Sequence, residues 1–156
     1  PGTSILDVGC DIGLTVKALE DAGYHSEGVE TSSIGAQIAK EKTRIKVSNI
    51  QLSDFKSDKK FDGVLLLDVL EHLYDPVKVL KECAANQHKG GHIFVHVPHH
   101  KGLGTQYKKY LHKRGIKQDY GHFGFPAHIY GFDKKSLRKI LKKSGYETIH
   151  FESWSN

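Results

Sequence analysis

A short apolar run, Ile5-Leu6-Asp7-Val8, breaks at Gly9-Cys10-Asp11-Ile12-Gly13 and passes into a helical pattern, with Glu30 seventeen residues past the last glycine. Strand, small-residue turn and helix in that order build the nucleotide pocket at the first strand of an α/β sheet. The spacing narrows what the pocket holds. A pyrophosphate loop needs glycines at relative positions one, three and six, so that bare backbone reaches two phosphates at a helix N-terminus. Gly9, Asp11 and Leu14 occupy those positions. The Asp11 carboxylate repels a pyrophosphate and suits a cofactor that is cationic and free of phosphate, which disfavours an NAD(P)-dependent oxidoreductase.

The rest of the chain continues the alternation. Leu14 to Ala22 carries Leu14, Ala18, Leu19 and Ala22 at helical spacing and stops at Gly23. His25 to Glu30 reads as a strand. A helix follows through about Lys42, capped by Thr31, Ser32 or Ser33, with Ile34, Ile38 and Ala39 on its buried face. Ile45, Val47 and Ile50 mark a third strand, and Gln51 to Lys60 an exposed polar connection. Phe61 to Asp68 is a continuous apolar run suited to the centre of a parallel sheet. Pro76 opens a helix that reaches about Gln87, Lys89-Gly90-Gly91 turns the chain, and His92 to Pro98 is a fifth strand. Asp133 caps a helix with Leu137, Ile140 and Leu141 inward, and Tyr146 to Ser153 reads as a sixth strand.

The expected fold is therefore α/β: a Rossmann-like, doubly wound, mostly parallel sheet flanked by helices in a single domain over residues 1–156. Residues 99–132 lack clear periodicity and are too many for a plain connection, which marks them as a loop or lid over an acceptor site. No run approaches the roughly 18 apolar residues that span a bilayer. Two cysteines, Cys10 and Cys83, point to buried thiols in a reducing cytoplasm rather than a disulfide framework. The chain contains no methionine, and its first strand begins almost at once, as expected of a fragment or trimmed domain. A formal charge of +5 fits an anionic partner or a solvated basic surface.

Five ordered segments carry a family resemblance: Leu6 to Gly13; Gly28-Val29-Glu30; Phe61-Asp62-Gly63-Val64; Leu67-Asp68-Val69-Leu70-Glu71-His72-Leu73 with Asp75-Pro76; and Gly90-Gly91-His92-Ile93-Phe94-Val95. Their order resembles class I S-adenosylmethionine-dependent methyltransferases, within them the group of ubiquinone-biosynthesis-type O-methyltransferases and other small-molecule methyltransferases. His128 to Phe132, Ser136-Leu137 and Lys143 to Tyr146 resemble that group's closing helix and strand. S-adenosylmethionine is also the cationic, phosphate-free cofactor that the Asp11 argument asks for, with S-adenosylhomocysteine as its product.

The resemblance implies a cofactor site made of Asp7, Gly9, Cys10, Asp11, Gly13, Glu30, Thr31, Asn49, Ile50, Asp68, Val69 and His72. Glu30 would accept hydrogen bonds from both ribose hydroxyls, each contributing roughly 1.5–3 kcal/mol as a bond to a charged acceptor. Asn49 would reach the adenine amino group, Ile50 its face, and Asp68-Val69 the methionine end. Asp11 stands where the family has a glycine, which leaves the loop conformation open and could narrow the pocket. The family's last strand has no counterpart: either it was removed or the sheet edge closes another way.

The implied reaction is methyl transfer to a small molecule, at oxygen, by in-line displacement; the alternative is a non-catalytic S-adenosylmethionine-binding or scaffold domain. Positioning supplies much of such a rate, and a base assists a hydroxyl acceptor. His72, His99 and His128 are the candidate catalytic residues, with His100 and His122 on the same long loop. A metal site is not expected, since no two histidines lie four apart on a predicted helix and no cysteine pairs with them. Lys101, Lys108, Lys109, Lys113, Arg114 and Lys117, interleaved with Tyr107 and Tyr110, suit an anionic acceptor, with nucleic acid less favoured. The basic residues of the last helix, Lys134 to Lys143, read as a wet face.

Overall fold

The computed structural model describes residues 2–43, 45–99, 110–116 and 128–153. Five strands form one parallel sheet: β1 (Ser4–Val8), β2 (His25–Val29), β3 (Val47–Ser48), β4 (Phe61–Leu67) and β5 (Gln87–His96). Their order is β3-β2-β1-β4-β5. The chain winds outward from β1 to β3, returns to β4 beside β1 and winds outward again, so the doubly wound expectation holds. A sheet of this kind opens a crevice at the carboxyl ends of the strands where the winding reverses, here between β1 and β4. β4 is interior, as its apolar run implies, but β1 is the central strand.

Among the described residues the sheet is flanked by α1 (Leu14–Asp21), α2 (Ser33–Thr43), α3 (Pro76–Ala85) and α4 (Lys134–Lys143). Each starts for a local reason. Gly13, at φ 77°, turns the chain into α1. The Ser32 hydroxyl accepts from Gly35 N–H at the start of α2. Asp75 caps α3 in front of Pro76, and Asp133 forms a reciprocal capping box with Ser136 at α4. Alternation along β1 sends Leu6 and Val8 into a large cluster with Leu66, Leu80, Leu137 and Leu141. Cys10, Val16, Ala36, Ala39, Ile45 and Val47 form a second cluster under α1 and α2.

Several expectations are corrected. α1 buries Val16 and leaves Leu14 64% exposed, because the left-handed Gly13 sets the phase of the helix. α2 buries Gly35, Ala36 and Ala39 and exposes Ile34 by 72%: small residues let this helix approach the glycine loop. The polar connection after β3 is anchored by Leu52 and Phe55, both in the core. Gly90 and Gly91 do not separate α3 from β5. They lie within β5, at a register irregularity that sets Phe61 opposite Gln87 and Gly63 opposite His92.

The expected sixth strand is absent: residues 146–153 take no sheet position. Side-chain anchors hold this segment instead. Tyr146 Oη donates to Gln87 Oε1, and the Phe151 ring lies under Lys134 and Arg138 at 4.9 and 5.7 Å. The face of α4 read as merely wet thus spends two of its cations on an aromatic ring. Among the described residues no helix is long and apolar enough to cross a membrane.

Gly13 combines a left-handed backbone with lack of space, since a Cβ there would lie 2.5 Å from Ile45 Cδ1 and 3.0 Å from Ala39 Cβ. Gly13→Ala is predicted to cost about 2–4 kcal/mol, from the left-handed penalty and the overpacking together. Thermal denaturation of the two proteins checks this; equal midpoints would refute it.

Candidate functional site

The loop after β1 is held by backbone. Gly9 N–H and Cys10 N–H both donate to Val29 O, at 2.8 and 3.2 Å, and Gly13 N–H donates to Cys10 O at 2.8 Å. Gly9 must be glycine for two reasons: its φ is 77°, and a Cβ would sit 2.6 Å from Val69 Cγ2. That contact also brings the β4 turn against the β1 loop across the reversal point of the sheet. Asp11 answers the question its identity raises. It adopts φ 47°, the left-handed conformation a glycine would supply and one that Asp tolerates better than most residues. Its carboxylate lies beside Gly35 in the first turn of α2, 3.1 Å from where a Cβ at Gly35 would be.

Glu30 organises this end of the crevice. It is buried, its Oε2 accepts Asp11 N–H at 2.8 Å, and its Oε1 accepts Ser32 N–H at 2.6 Å. Thr31 Oγ1 stands 3.4 Å from the same Oε1. A carboxylate has about four lone-pair positions, so these contacts leave room for a further hydroxyl donor. Asn49 acts on the backbone: its amide donates to the carbonyls of Glu30 and Thr31, at 2.9 and 3.1 Å, and fixes the turn that presents the acid. Ile50 is half-buried against the large core cluster.

Asp7 lies beneath the loop and is fully buried; burial, and then the Glu30 charge, push its carboxyl up to about 7. The Cys10 thiol is pushed up to about 12, chiefly by burial, with Asp7 and Glu30 adding to the effect. Its sulfur lies 2.5 Å from the Cβ position of Gly28. Cys10 is a packing residue, not a nucleophile.

On the β4 side, Asp68 ends the strand at φ 55°, a strained conformation of the kind that gathers at functional sites. Its N–H donates to His96 O, and its Oδ1 lies 2.9 Å from His96 Nδ1. Glu71, His72 and His128 converge after the next turn, with ligand-capable atoms within 4.8 Å of one another. The His72 and His128 rings meet edge to face at 4.7 Å. His99 lies elsewhere, bridged to Phe132 and 3.4 Å from Ser153 Oγ through Nδ1. Of the three candidate catalytic histidines, two are thus brought together and the third is held by other partners.

This architecture has known counterparts. A family model described as a methyltransferase domain matches residues 1–151. The chain belongs to the class I S-adenosylmethionine-dependent methyltransferases. The ubiquinone biosynthesis O-methyltransferase of Coxiella burnetii is 29% identical to this methyltransferase domain, over 99% of the chain and 70% of the relative. That of Ralstonia nicotianae is 28% identical, over 94% and 67%. Among solved structures, a SAM-dependent methyltransferase from Thermotoga maritima superposes with a TM-score of 0.72 at 20% identity, over 95% of this chain and 65% of that one. A magnesium protoporphyrin IX methyltransferase from Synechocystis, solved with bound SAH, gives 0.72 at 22%, over 93% and 64%. The domain therefore spans about two thirds of the length of these relatives.

Two features escaped the sequence reading. Glu71 was visible only as part of a motif, although a carboxylate between Leu70 and His72 in an apolar turn signals a buried acid. The Asp68 to His96 contact joins the ends of two strands 28 residues apart, which no local spacing reveals. Lys101, Lys108, Lys109, Lys117, Tyr107, His100 and His122 lie outside the described residues, as does most of the 99–132 segment. Of the basic run, Arg114 stacks over Tyr110 at 5.0 Å.

The raised Asp7 pKa has a definite sign. An unfolded aspartate ionises near 3.8 and the folded one near 7, so the native state binds the extra proton and stability falls as pH rises through that window. Asp7→Asn removes this loss. The melting temperature of the variant relative to the parent is predicted to rise between pH 4.5 and 8; a constant difference would refute the assignment.

Proposed function

We propose that this domain binds S-adenosylmethionine in the crevice at the ends of β1, β2 and β4 and transfers its methyl group to the oxygen of a small-molecule acceptor. The observation that carries the reading is the buried Glu30 carboxylate. It is oriented by two backbone N–H groups and tied to a loop whose glycine has no room for a side chain. A paired acceptor at the end of β2 fits a ribose diol, and the bare loop fits the close approach of a ligand. When bound, S-adenosylmethionine supplies an electrophilic methyl carbon on a sulfonium leaving group. Acidic groups line this end of the crevice, and Asp7 gains a favourable partner when a cation arrives. The ubiquinone biosynthesis relatives support oxygen as the accepting atom.

The residues divide the work. Gly9 and Gly13 keep the loop thin, Glu30 holds the ribose, and Asn49 holds Glu30 through its backbone. Ile50 offers an apolar edge toward the base, and Asp68-Val69 closes the methionine end. His96 takes the acceptor proton. Asp68 engages its Nδ1, which makes Nε2 the basic atom, the logic by which a carboxylate sets the tautomer of a catalytic histidine. The 99–132 segment covers the acceptor, and its basic residues suit an anionic one.

Calorimetry with S-adenosylhomocysteine is predicted to show binding that Glu30→Ala weakens at least tenfold, while NAD(P) neither binds nor raises the melting temperature. An unchanged dissociation constant in the variant would remove Glu30 from the ribose site. Incubation with labelled S-adenosylmethionine and a panel of phenols, catechols and sugars tests transfer. Binding without any labelled product would favour a non-catalytic cofactor-binding domain. With a productive acceptor, His96→Gln is predicted to lower kcat far more than S-adenosylhomocysteine affinity; an equal kcat would refute its role.

A further inference from the structure

All of the chain's excess positive charge sits on α4. Of 23 Lys and Arg and 18 Asp and Glu, this helix holds six of the former and none of the latter, so the remainder of the chain has a formal charge of −1. Lys134, Lys135, Arg138, Lys139, Lys142 and Lys143 are all exposed, and at about 3.6 residues per turn they spread over roughly half of the helix circumference. The arrangement is unfavourable for the helix by itself. Like charges stand one turn apart at Lys134 and Arg138, Lys135 and Lys139, Arg138 and Lys142, and Lys139 and Lys143, and each such pair destabilises. Lys134 and Lys135 also occupy the first turn, where the helix dipole opposes a cation. Lys134 and Arg138 are answered by the Phe151 ring. Among the described residues no carboxylate lies in ion-pair reach of Lys135, Lys139, Lys142 or Lys143.

We propose that the exposed face of α4 docks an acidic polysaccharide, a hydrated chain of carboxylate- or sulfate-bearing sugars. Charge complementarity sets the sign of the partner, and what the face lacks sets its class. Leu137 and Leu141 are buried in the large core cluster with Ile140 packed against it, so the apolar side that a helix lays into a lipid interface is already used. The outward arc carries no aromatic or aliphatic side chain of the kind that centres a protein interface or stacks on the bases of a single strand. Its one Arg, the residue type suited to paired contacts with base edges, is engaged by Phe151. What remains is a row of Lys ammonium groups, compact and strongly hydrated charges on flexible stems. They suit anionic groups that stay hydrated and recur along a chain, held by release of its counterions rather than by burial of surface.

The row starts beside the crevice. Phe132, two residues before Lys134, bridges to His99 just past the end of β5, and β5 ends at the His96 that contacts Asp68. From there α4 extends the cations over about 15 Å. A polymer lying along the helix therefore passes the carboxyl edge of the sheet. The docking face stands without any assumption about the cofactor.

The test measures binding of the full chain to polygalacturonate and to heparin by calorimetry, with neutral dextran as the reference, from about 50 to 200 mM salt. Micromolar binding that weakens steeply with salt is expected for both acidic polymers, and none for dextran. A triple variant, Lys135→Gln with Lys139→Gln and Lys142→Gln, is expected to bind at least tenfold more weakly with no loss of melting temperature, since it relieves the repulsion within α4. Removing three exposed cations elsewhere, by Lys40→Gln with Lys42→Gln and Lys81→Gln, is expected to weaken binding less than about threefold. Equal weakening by the two variants, undiminished binding in the α4 variant, or no binding of either acidic polymer at about 50 mM salt would overturn the docking face. Tighter binding to duplex DNA, to phosphatidylglycerol vesicles or to polyglutamate at equal charge concentration would overturn the choice of partner. S-adenosylhomocysteine affinity, expected to be unchanged in the α4 variant, separates the two claims: polymer binding without it sinks the cofactor reading alone, and the converse sinks only the docking face.

Discussion

The site depends on one carboxylate shared by two turns. Glu30 reaches from the end of β2 to Asp11 N–H in the loop after β1 and to Ser32 N–H at the entry to α2. Remove it and three elements lose their common point: the glycine loop, the turn that Asn49 braces, and the start of a helix whose first buried residues are Gly35 and Ala36. Hydrogen bonds from backbone N–H to an ionised carboxylate are among the stronger ones in a folded chain. Below them Asp7 is enclosed, and burial first and the Glu30 charge second push its carboxyl up to about 7.

Much of this was legible before any coordinates. The glycines at 9 and 13, the acid at 30 and the apolar run of β4 each carry a local physical signature, and the structure places Gly9 and β4 at the reversal of the sheet, with Gly13 in the loop after β1 and Glu30 at the end of β2. What local pattern could not carry is phase and partnership. Leu14 and Ile34 sit at helical spacing yet face outward, because the entries to α1 and α2 are set by a left-handed glycine and by close packing of Gly35 beneath the loop. Tyr146 to Ser153 alternates like a strand, but its aromatic side chains are anchored on Gln87 and on the cations of α4, contacts that strand alternation does not reveal. The convergence of Glu71, His72 and His128 is a tertiary event, and the rule of histidines four apart on a helix had no means to detect it.

Two acids in this small crevice meet different surroundings. Glu30 is met by backbone N–H donors, whereas Asp7 is enclosed, and burial first and the Glu30 charge second push its carboxyl up to about 7. Val69 stands against Gly9 from the β4 side, so that beyond the β1–β4 ladder the two halves of the winding are also held close at the loops that follow these strands.

The strand at the other end of the sheet has a consequence for how the domain behaves in solution. Among the described residues β5 pairs only with β4, and Phe94, midway along it, is 55% exposed while Ile93 and Val95 pack inward. An edge strand of this kind, with an aromatic ring in solvent, offers its outer ladder and that ring to whatever extended segment comes to lie beside it.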